Sequence, residues 1–191
     1  DPSFPDGATI GGVLATNDSG ALRHRFGTPR DLVIGVRIAT VDGMLAKAGG
    51  QVVKNVAGYD LARLMTGSFG SLAAITCATF KLSPRPATSK TVSVSASGDD
   101  ALGGLVRRMM SSQIEAFAFD VTVGPDTPAL HVRFASLPAP VDAQVDQACA
   151  LLAVNGAVVD VIDGETERML WRDHQARPWS GSGAVIRASW L

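Results

Sequence analysis

Residues Thr9 to Gly20 read Thr-Ile-Gly-Gly-Val-Leu-Ala-Thr-Asn-Asp-Ser-Gly. Two adjacent glycines stand near the start of this stretch, and a short polar run ending in a third glycine closes it. Glycine permits sharp turns and lets another group approach the backbone closely. Backbone N–H groups beside short hydroxyl and amide side chains suit an anionic or polar ligand. A glycine-rich turn beside a short strand would explain the same pattern. This alternative stays open because an isolated glycine motif is weak evidence for a ligand site.

The composition is that of a globular protein with little net charge. At 191 residues the chain is long enough for one large domain or two small ones. Its net charge of −1 gives no electrostatic reason to expect binding to nucleic acid or to an anionic membrane. Cys77 and Cys149 are isolated, as expected for reduced thiols in a cytosolic protein. The sequence contains no signal peptide and no apolar run long enough to span a membrane. It starts with Asp rather than Met and ends on a run that reads as a strand, so we interpret it as part of a longer protein.

The first half is predicted to contain strands and one well-capped helix. Strands are predicted over 32–41, 44–47 and 72–82, and an Asp-Gly turn at 42–43 joins the first two. A short helix over 61–66 has apolar residues at helical spacing, and Asp60 is placed to cap it. The proline-rich run 83–86 ends the third strand. We therefore predict two domains, 1–86 and 87–191.

The second half has the element order β-α-β-β-α-β. Strands are predicted over 91–96, 116–123, 130–135 and 157–162, and amphipathic helices over 102–110 and 141–152. This order is typical of a ferredoxin-like sandwich, an antiparallel sheet with both helices on one face. A further helix is predicted over 165–173, followed by a loop and a terminal strand over 184–191.

Known catalytic and nucleotide-binding motifs are missing from the sequence. It contains no P-loop, no Rossmann glycine fingerprint, no nucleophile elbow, no zinc-protease motif and no EF-hand loop. His24, His131 and His174 are scattered, and each is interpreted as a surface or structural residue. His131 and Arg133 share one strand face, where they could meet an anionic substrate, but a solvated strand face explains them equally well. No His–carboxylate pair has convincing spacing, so no catalytic residue and no metal site are predicted.

Three segments of the first half occur in the order and at the spacing of one flavoprotein family. They are 9–20, then 25–35 (Arg-Phe-Gly-Thr-Pro-Arg-Asp-Leu-Val-Ile-Gly), then 58–76, which opens Gly-Tyr-Asp-Leu-Ala-Arg-Leu-Met-Thr-Gly-Ser-Phe-Gly. Residues 1–86 resemble the second FAD-binding subdomain of the vanillyl-alcohol oxidase / p-cresol methylhydroxylase (PCMH) type flavoproteins. The run Val-Lys-Asn-Val-Ala-Gly-Tyr-Asp at 53–60 is most similar to the E-subunit group of the bacterial glycolate oxidases. The predicted fold class is α+β, with this subdomain followed by a ferredoxin-like cap domain.

The resemblance implies which residues contact FAD. In the family, the segment matching 9–12 approaches the flavin and diphosphate through its backbone, and the segment matching 16–20 continues that wall. The turn and strand matching 70–75 contact the cofactor from the other side. The cofactor-binding residues implied in this way are Thr9, Ile10, Gly11, Gly12, Thr16, Asn17, Ser19, Gly20, Gly70 and Ile75.

The resemblance covers only part of the family's cofactor site. The diphosphate is held chiefly by a glycine-rich loop in a subdomain that would precede Asp1, and the later half of the cap is not in the sequence either. We therefore expect FAD in the full-length protein, and weak or no FAD binding by residues 1–191 alone.

The activity that the resemblance implies is oxidation of glycolate or a related 2-hydroxy acid by an FAD-linked oxidoreductase. Its electrons would pass to partner subunits, namely an FAD-binding D subunit and an iron–sulfur F subunit. Two alternatives stay open: a non-catalytic assembly or electron-relay subunit of the same complex, and a dehydrogenase of D-lactate or another 2-hydroxy acid. The expected location is the cytoplasm, with any contact to the inner membrane made through partner subunits.

Overall fold

A computed structural model describes residues 2, 7–52, 58–123, 127–154 and 156–177. The chain divides into two compact units, Asp1–Arg85 and Pro86–Leu191. Most of the lead-in before Gly7, the run 53–57 that supports the family resemblance, and the strand predicted over 184–191 lie outside the described residues.

The described part of the first unit is a three-stranded sheet with short helices. Its elements are α1 (Ile10–Thr16), α2 (Arg23–Phe26), α3 (Pro29–Leu32), β1 (Val33–Ala39), β2 (Leu45–Gly49), α4 (Leu61–Met65) and β3 (Ala74–Phe80). The strand order is β2-β1-β3, and both pairs are antiparallel. Val36 and Ile38 alternate onto one face of β1, where they pack in a buried cluster with Leu14 and Met65. The sheet and its cluster therefore fix the position of α1 and α4.

The β1–β2 hairpin confirms the turn predicted at Asp42-Gly43. Gly43 has a positive φ of 83°, as such a turn requires. The register places Gly35 opposite Gly49, and the two backbones approach closely there. A Cβ at Gly49 would lie 2.2 Å from the carbonyl oxygen of Ile34, so only glycine fits this position.

The glycine-rich opening stretch is a helix, and the interpretation of it as a turn beside a strand is wrong. The Thr9 hydroxyl caps α1 by accepting the N–H of Gly12 at 3.0 Å. Leu14 is fully buried and anchors the helix in the core. Asn17 ends it in the left-handed conformation, with φ 52°. Tertiary burial and two caps outweigh the poor helix propensity of the paired glycines.

Helix α4 follows its prediction closely. The Asp60 carboxylate accepts the N–H of Arg63 at 3.0 Å, which satisfies a free donor of the first turn. Ala62 and Met65 are buried against the sheet. The helix ends at Met65, one residue before the predicted end.

The second unit has the predicted ferredoxin-like topology. Its elements are β4 (Thr88–Ser95), α5 (Asp99–Met110), β5 (Ala118–Thr122), β6 (Ala129–Ser136), α6 (Pro138–Leu152), β7 (Val158–Asp163) and α7 (Gly164–Ala176). The sheet order is β5-β6-β4-β7, and every adjacent pair is antiparallel. The α+β fold class predicted from the sequence is confirmed.

The two faces of this sheet differ in chemistry. One face carries alternate apolar residues, which pack with α5 and α6 into a buried core. The principal members from the sheet are Val92, Val94, Leu130, Val132 and Phe134. The residues between them are polar, and α7 lies on that second face. The extra helix thus covers the surface that a two-layer sandwich leaves open.

Candidate functional site

Two glycine-containing segments of the first unit lie side by side. The N–H of Gly67 donates to the carbonyl of Leu14 at 2.9 Å, and the N–H of Phe69 donates to the carbonyl of Ala15 at 2.8 Å. Phe69 and Gly70 follow in the left-handed region, with φ of 54° and 74°. The structure therefore brings the predicted residues of α1 next to the turn that holds Gly70.

The polar side chains of the first segment are engaged in local hydrogen bonds. Thr9 accepts the N–H of Gly12, and the Thr16 hydroxyl donates to the Gly12 carbonyl at 2.8 Å. The Asn17 side-chain oxygen accepts the N–H of Arg30 at 3.2 Å, at the start of α3. Because these side chains support helix ends, a ligand at this segment would meet mainly backbone atoms.

Ser19 and Gly20 lie in the connection between α1 and α2, and both are half-buried. The carbonyl of Gly20 accepts the N–H of Arg23 at 3.0 Å, which begins the turn that leads into α2. This part of the predicted wall is thus held in place by the next helix.

The surface beside these segments is open and partly apolar. A Cβ at Gly11 would lie 3.8 Å from the carbonyl oxygen of Ile75, which is ordinary van der Waals contact, and one at Gly70 would meet nothing within 4 Å. The side chain of Ile75 is partly buried against the core cluster, and its backbone carbonyl is the group nearest to Gly11. Ile10 and Phe69 are 68% and 77% exposed. All of the predicted cofactor residues lie on two neighbouring segments, and their contact with a cofactor stays a prediction.

The second unit contains a buried polar cluster that the sequence motifs did not reveal. The side chain of Glu167 on α7 is only 2% exposed. It accepts hydrogen bonds from the hydroxyls of Ser89 and Thr91 and from the guanidinium of Arg133, whose Nε lies 3.1 Å from Oε1. The indole N–H of Trp171 donates to Thr91 at 2.9 Å. These bonds attach the N-terminal half of α7 to the sheet.

A row of side chains continues this cluster toward the end of α7. His131 Nδ1 lies 3.1 Å from the hydroxyl of Ser93, and its Nε2 lies 3.2 Å from the hydroxyl of Thr122. The same Thr122 oxygen lies 3.3 Å from His174 Nδ1, and His174 Nε2 lies 3.0 Å from a carboxylate oxygen of Asp120. Two histidines from separate elements are thus connected through one hydroxyl.

The interpretation of His131 and Arg133 as a solvated strand face is wrong, because α7 covers both. His131 is 7% exposed, and this burial, together with the nearby His174, lowers its pKa from 6.5 to about 4. His174 and Asp120 are the His–carboxylate pair that sequence spacing did not indicate. Each ring nitrogen of the two histidines already has a protein partner, so the row supports α7 rather than presenting a free base.

The sequence did hold one signal for this cluster. Glu167, Trp171 and His174 have the i, i+4, i+7 spacing of a single helix face. Alternate positions of β4 are Ser or Thr, which predicts a polar sheet face for such a helix face to cover.

Within the ranges that the structure describes, no group of three or more His, Cys, Asp or Glu side chains is placed to hold a metal ion. No helix in the same ranges has the length and apolar character needed to cross a membrane.

Similarity in sequence points to one group of oxidoreductases. The chain is 39% identical over 114 residues to glycolate oxidase subunit GlcD of Bacillus subtilis, covering 60% of the chain and 24% of that protein. It is 47% identical over 88 residues to glycolate oxidase subunit GlcE of Escherichia coli, covering 46% and 25%. It is 41% identical over 88 residues to a D-lactate dehydrogenase of Archaeoglobus fulgidus, covering 44% and 20%. The chain spans only about a quarter of the length of these relatives.

No protein-family model matches the chain. Solved structures nevertheless share its fold. Alkyldihydroxyacetonephosphate synthase matches with a TM-score of 0.73 at 18% identity, over 93% of the chain and 38% of its own length. The flavinylated glucooligosaccharide oxidase of Acremonium strictum matches with a TM-score of 0.58 at 12% identity, over 86% and 35%. The predicted resemblance to glycolate oxidase subunits is confirmed by these similarities in sequence. The chain also shares its fold with part of each of these solved structures.

Proposed function

We propose that the protein containing this chain is an FAD-linked oxidoreductase that oxidises glycolate or a closely related 2-hydroxy acid. The observation that carries the proposal is the sequence similarity to two different glycolate oxidase subunits, GlcE at 47% and GlcD at 39% identity. Similarity to proteins that are named as glycolate oxidase subunits also favours partner subunits, which would be an FAD-binding D subunit and an iron–sulfur F subunit. In this proposal residues 1–86 belong to the FAD-binding domain and residues 87–191 to the cap.

The residues present in the first unit fit a backbone-lined wall for FAD. Gly12 and Gly70 are exposed and carry no side chain that would keep a ligand from the main chain. The hydrogen bonds from Gly67 and Phe69 to the end of α1 hold the two predicted segments together. The implied cofactor residues on these segments are Thr9, Ile10, Gly11, Gly12, Thr16, Asn17, Ser19, Gly20, Gly70 and Ile75. FAD, when bound, supplies the acceptor for the hydride from the α-carbon of the substrate.

The chain's own contribution is to hold a rigid surface. The side chains of Thr9 and Asn17 accept capping hydrogen bonds from the first turns of α1 and α3. These bonds fix the backbone of 9–17. Exposed Ile10 and Phe69 offer apolar area beside that backbone, which suits a ligand with a flat aromatic part. Such a surface would bind and orient the cofactor. This role requires no side chain that gains or loses a proton.

A different 2-hydroxy acid is the second candidate substrate. The observation that favours it is similarity to a D-lactate dehydrogenase at 41% identity and to a D-2-hydroxyglutarate dehydrogenase of Xanthomonas citri at 34%. An assembly or electron-relay subunit is the third candidate, because GlcD and GlcE are each named as one subunit of a glycolate oxidase.

Anaerobic reduction of bound flavin distinguishes these candidates. The full-length protein, loaded with FAD, is mixed without oxygen with glycolate, D-lactate or D-2-hydroxyglutarate, and the flavin absorbance is followed. If the flavin bleaches fastest with glycolate, the proposal is supported. If it bleaches fastest with another acid, that acid is the favoured substrate instead. Bound flavin that bleaches only when the partner subunits are added supports the relay role. Failure to bind FAD with and without partners would contradict both substrate candidates and the electron-relay role, and would support an assembly role.

A further inference from the structure

We propose that acidification releases helix α7 from the sheet of the second unit, because the row of hydrogen bonds from Ser93 through His131, Thr122 and His174 to Asp120 requires a neutral His131. The inference concerns the stability of the cap unit and does not depend on which acid the protein oxidises.

The row has one consistent direction when both rings are neutral. A carboxylate only accepts hydrogen bonds, so Asp120 requires His174 Nε2 to carry its proton, at 3.0 Å. His174 Nδ1 must then accept from the Thr122 hydroxyl, and the Thr122 oxygen accepts in turn from His131 Nε2. His131 Nδ1 finally accepts from the hydroxyl of Ser93. Every donor meets an acceptor, and both rings have the proton on Nε2.

An added proton breaks this order. A proton on His131 Nδ1 faces the hydroxyl of Ser93, which then loses its acceptor there. A proton on His131 places a charge on a ring that is 7% exposed and whose centroid lies 5.5 Å from that of His174. A buried charge without a counterion is costly, so the favourable response is to open the contact with α7.

The charged groups around His131 do not remove this penalty. On α7, Arg177 and a protonated His174 both lower its pKa, while Glu167 is paired with Arg133 of β6. On β5, Asp120 raises the pKa but is engaged with His174. On β7, Asp160 stands opposite Ser93 in the register and is exposed. Burial is the largest cause, and it lowers the pKa of His131 to about 4.

This lowered pKa fixes the direction of the pH dependence. The docked helix keeps His131 neutral in a range where a released helix would let it take up a proton. Docking is therefore complete above the ordinary pKa of 6.5 and weakens as the pH falls toward 4. Between about pH 7 and about pH 5 the opening equilibrium of α7 should rise about 20-fold.

Hydrogen exchange of the full chain tests the proposal. Exchange of the amides of 164–177 is measured at about pH 7 and about pH 5, and each rate is divided by that of an unfolded peptide at the same pH. The expected result is that the protection of the α7 amides falls about 20-fold, while the protection of the amides in β4 and β6 does not change. Equal protection of α7 at both values would overturn the proposal.

Two variants identify the responsible group. His131→Gln keeps polar atoms for both hydroxyls and cannot titrate, so its α7 should stay protected in acid. His24→Gln, a matched change at an exposed histidine of the first unit, should behave as the unchanged protein. Release in acid that persists in His131→Gln would overturn the proposal in favour of another group, such as Glu167.

Nuclear magnetic resonance of the unchanged chain decides the matter even if His131→Gln fails to fold. Long-range ¹H–¹⁵N spectra should show His131 as the Nε2-protonated tautomer, titrating well below 6.5. Free titration at the ordinary value, or the Nδ1 tautomer, would contradict the proposed direction of the row.

Discussion

Arg133 of β6 and Glu167 of α7 form an ion pair in which Nε lies 3.1 Å from Oε1. The two partners are unequally buried, since the side chain of Glu167 is 2% exposed and that of Arg133 is 23% exposed. Ser89 and Thr91 satisfy the remaining acceptor capacity of the carboxylate. The pair is therefore the centre of a satisfied network, and removing one member leaves buried polar groups without partners.

We predict that Glu167→Ala destabilises the second unit by about 3 kcal/mol, because it leaves the Arg133 guanidinium and two hydroxyls without their acceptor. Urea unfolding measures the loss. Glu165→Ala is the matched control on the same helix, since Glu165 pairs with Arg168 at an exposed site. Its cost should stay below about 1 kcal/mol. Equal losses for the two variants would contradict the role given to Glu167.

The β1–β2 hairpin supplies a second prediction. Gly49→Ala should cost at least about 2 kcal/mol, because the new methyl group would lie 2.2 Å from the carbonyl oxygen of Ile34 and because φ is 72°. Gly43→Ala is the matched control in the same hairpin: φ is 83°, but nothing lies within 4 Å of the new Cβ. It should cost only about 1 kcal/mol, measured by thermal or urea unfolding. If Gly43→Ala lost more stability than Gly49→Ala, the close approach of Gly49 to Gly35 in this hairpin would be contradicted.

Elements set by local chemistry could be predicted from the sequence. The hairpin at Asp42-Gly43 and the cap at Asp60 each depend on residues within one turn of each other, and both lie where the pattern placed them. The βαββαβ order of the second unit followed from the alternation in β4 and from helical spacing in α5 and α6.

Features that depend on distant residues could not be predicted in this way. Helix α1 contains Gly11 and Gly12, which disfavour a helix, and it forms because Leu14 is buried by the sheet. His131 and His174 meet only because α7 returns across the second face of the sheet, which their sequence positions do not indicate. The neighbouring positions of α1 and the turn at Gly70 agree with the predicted cofactor wall, whose contact with FAD stays a prediction.

Gly11 offers a test of that wall in which stability and binding should change in opposite directions. It lies in the first turn of α1, and a Cβ there would make only ordinary contact with the Ile75 carbonyl, at 3.8 Å. Gly11→Ala should therefore leave the free energy of unfolding unchanged or raise it by up to about 1 kcal/mol, since alanine favours helix more than glycine does.

The same methyl group would stand on the surface that is proposed to face FAD. We therefore expect Gly11→Ala to weaken FAD binding by the full-length protein about tenfold, measured by titration of flavin fluorescence. Gly104→Ala in α5 is the matched control, because it too replaces a glycine within a helix; in its case nothing lies within 4 Å of the new Cβ. That variant should gain stability and keep its affinity for FAD. Unchanged affinity in Gly11→Ala would mean that α1 packs in the fold without touching the cofactor, because a rigid backbone wall has no room to accept a methyl group without loss.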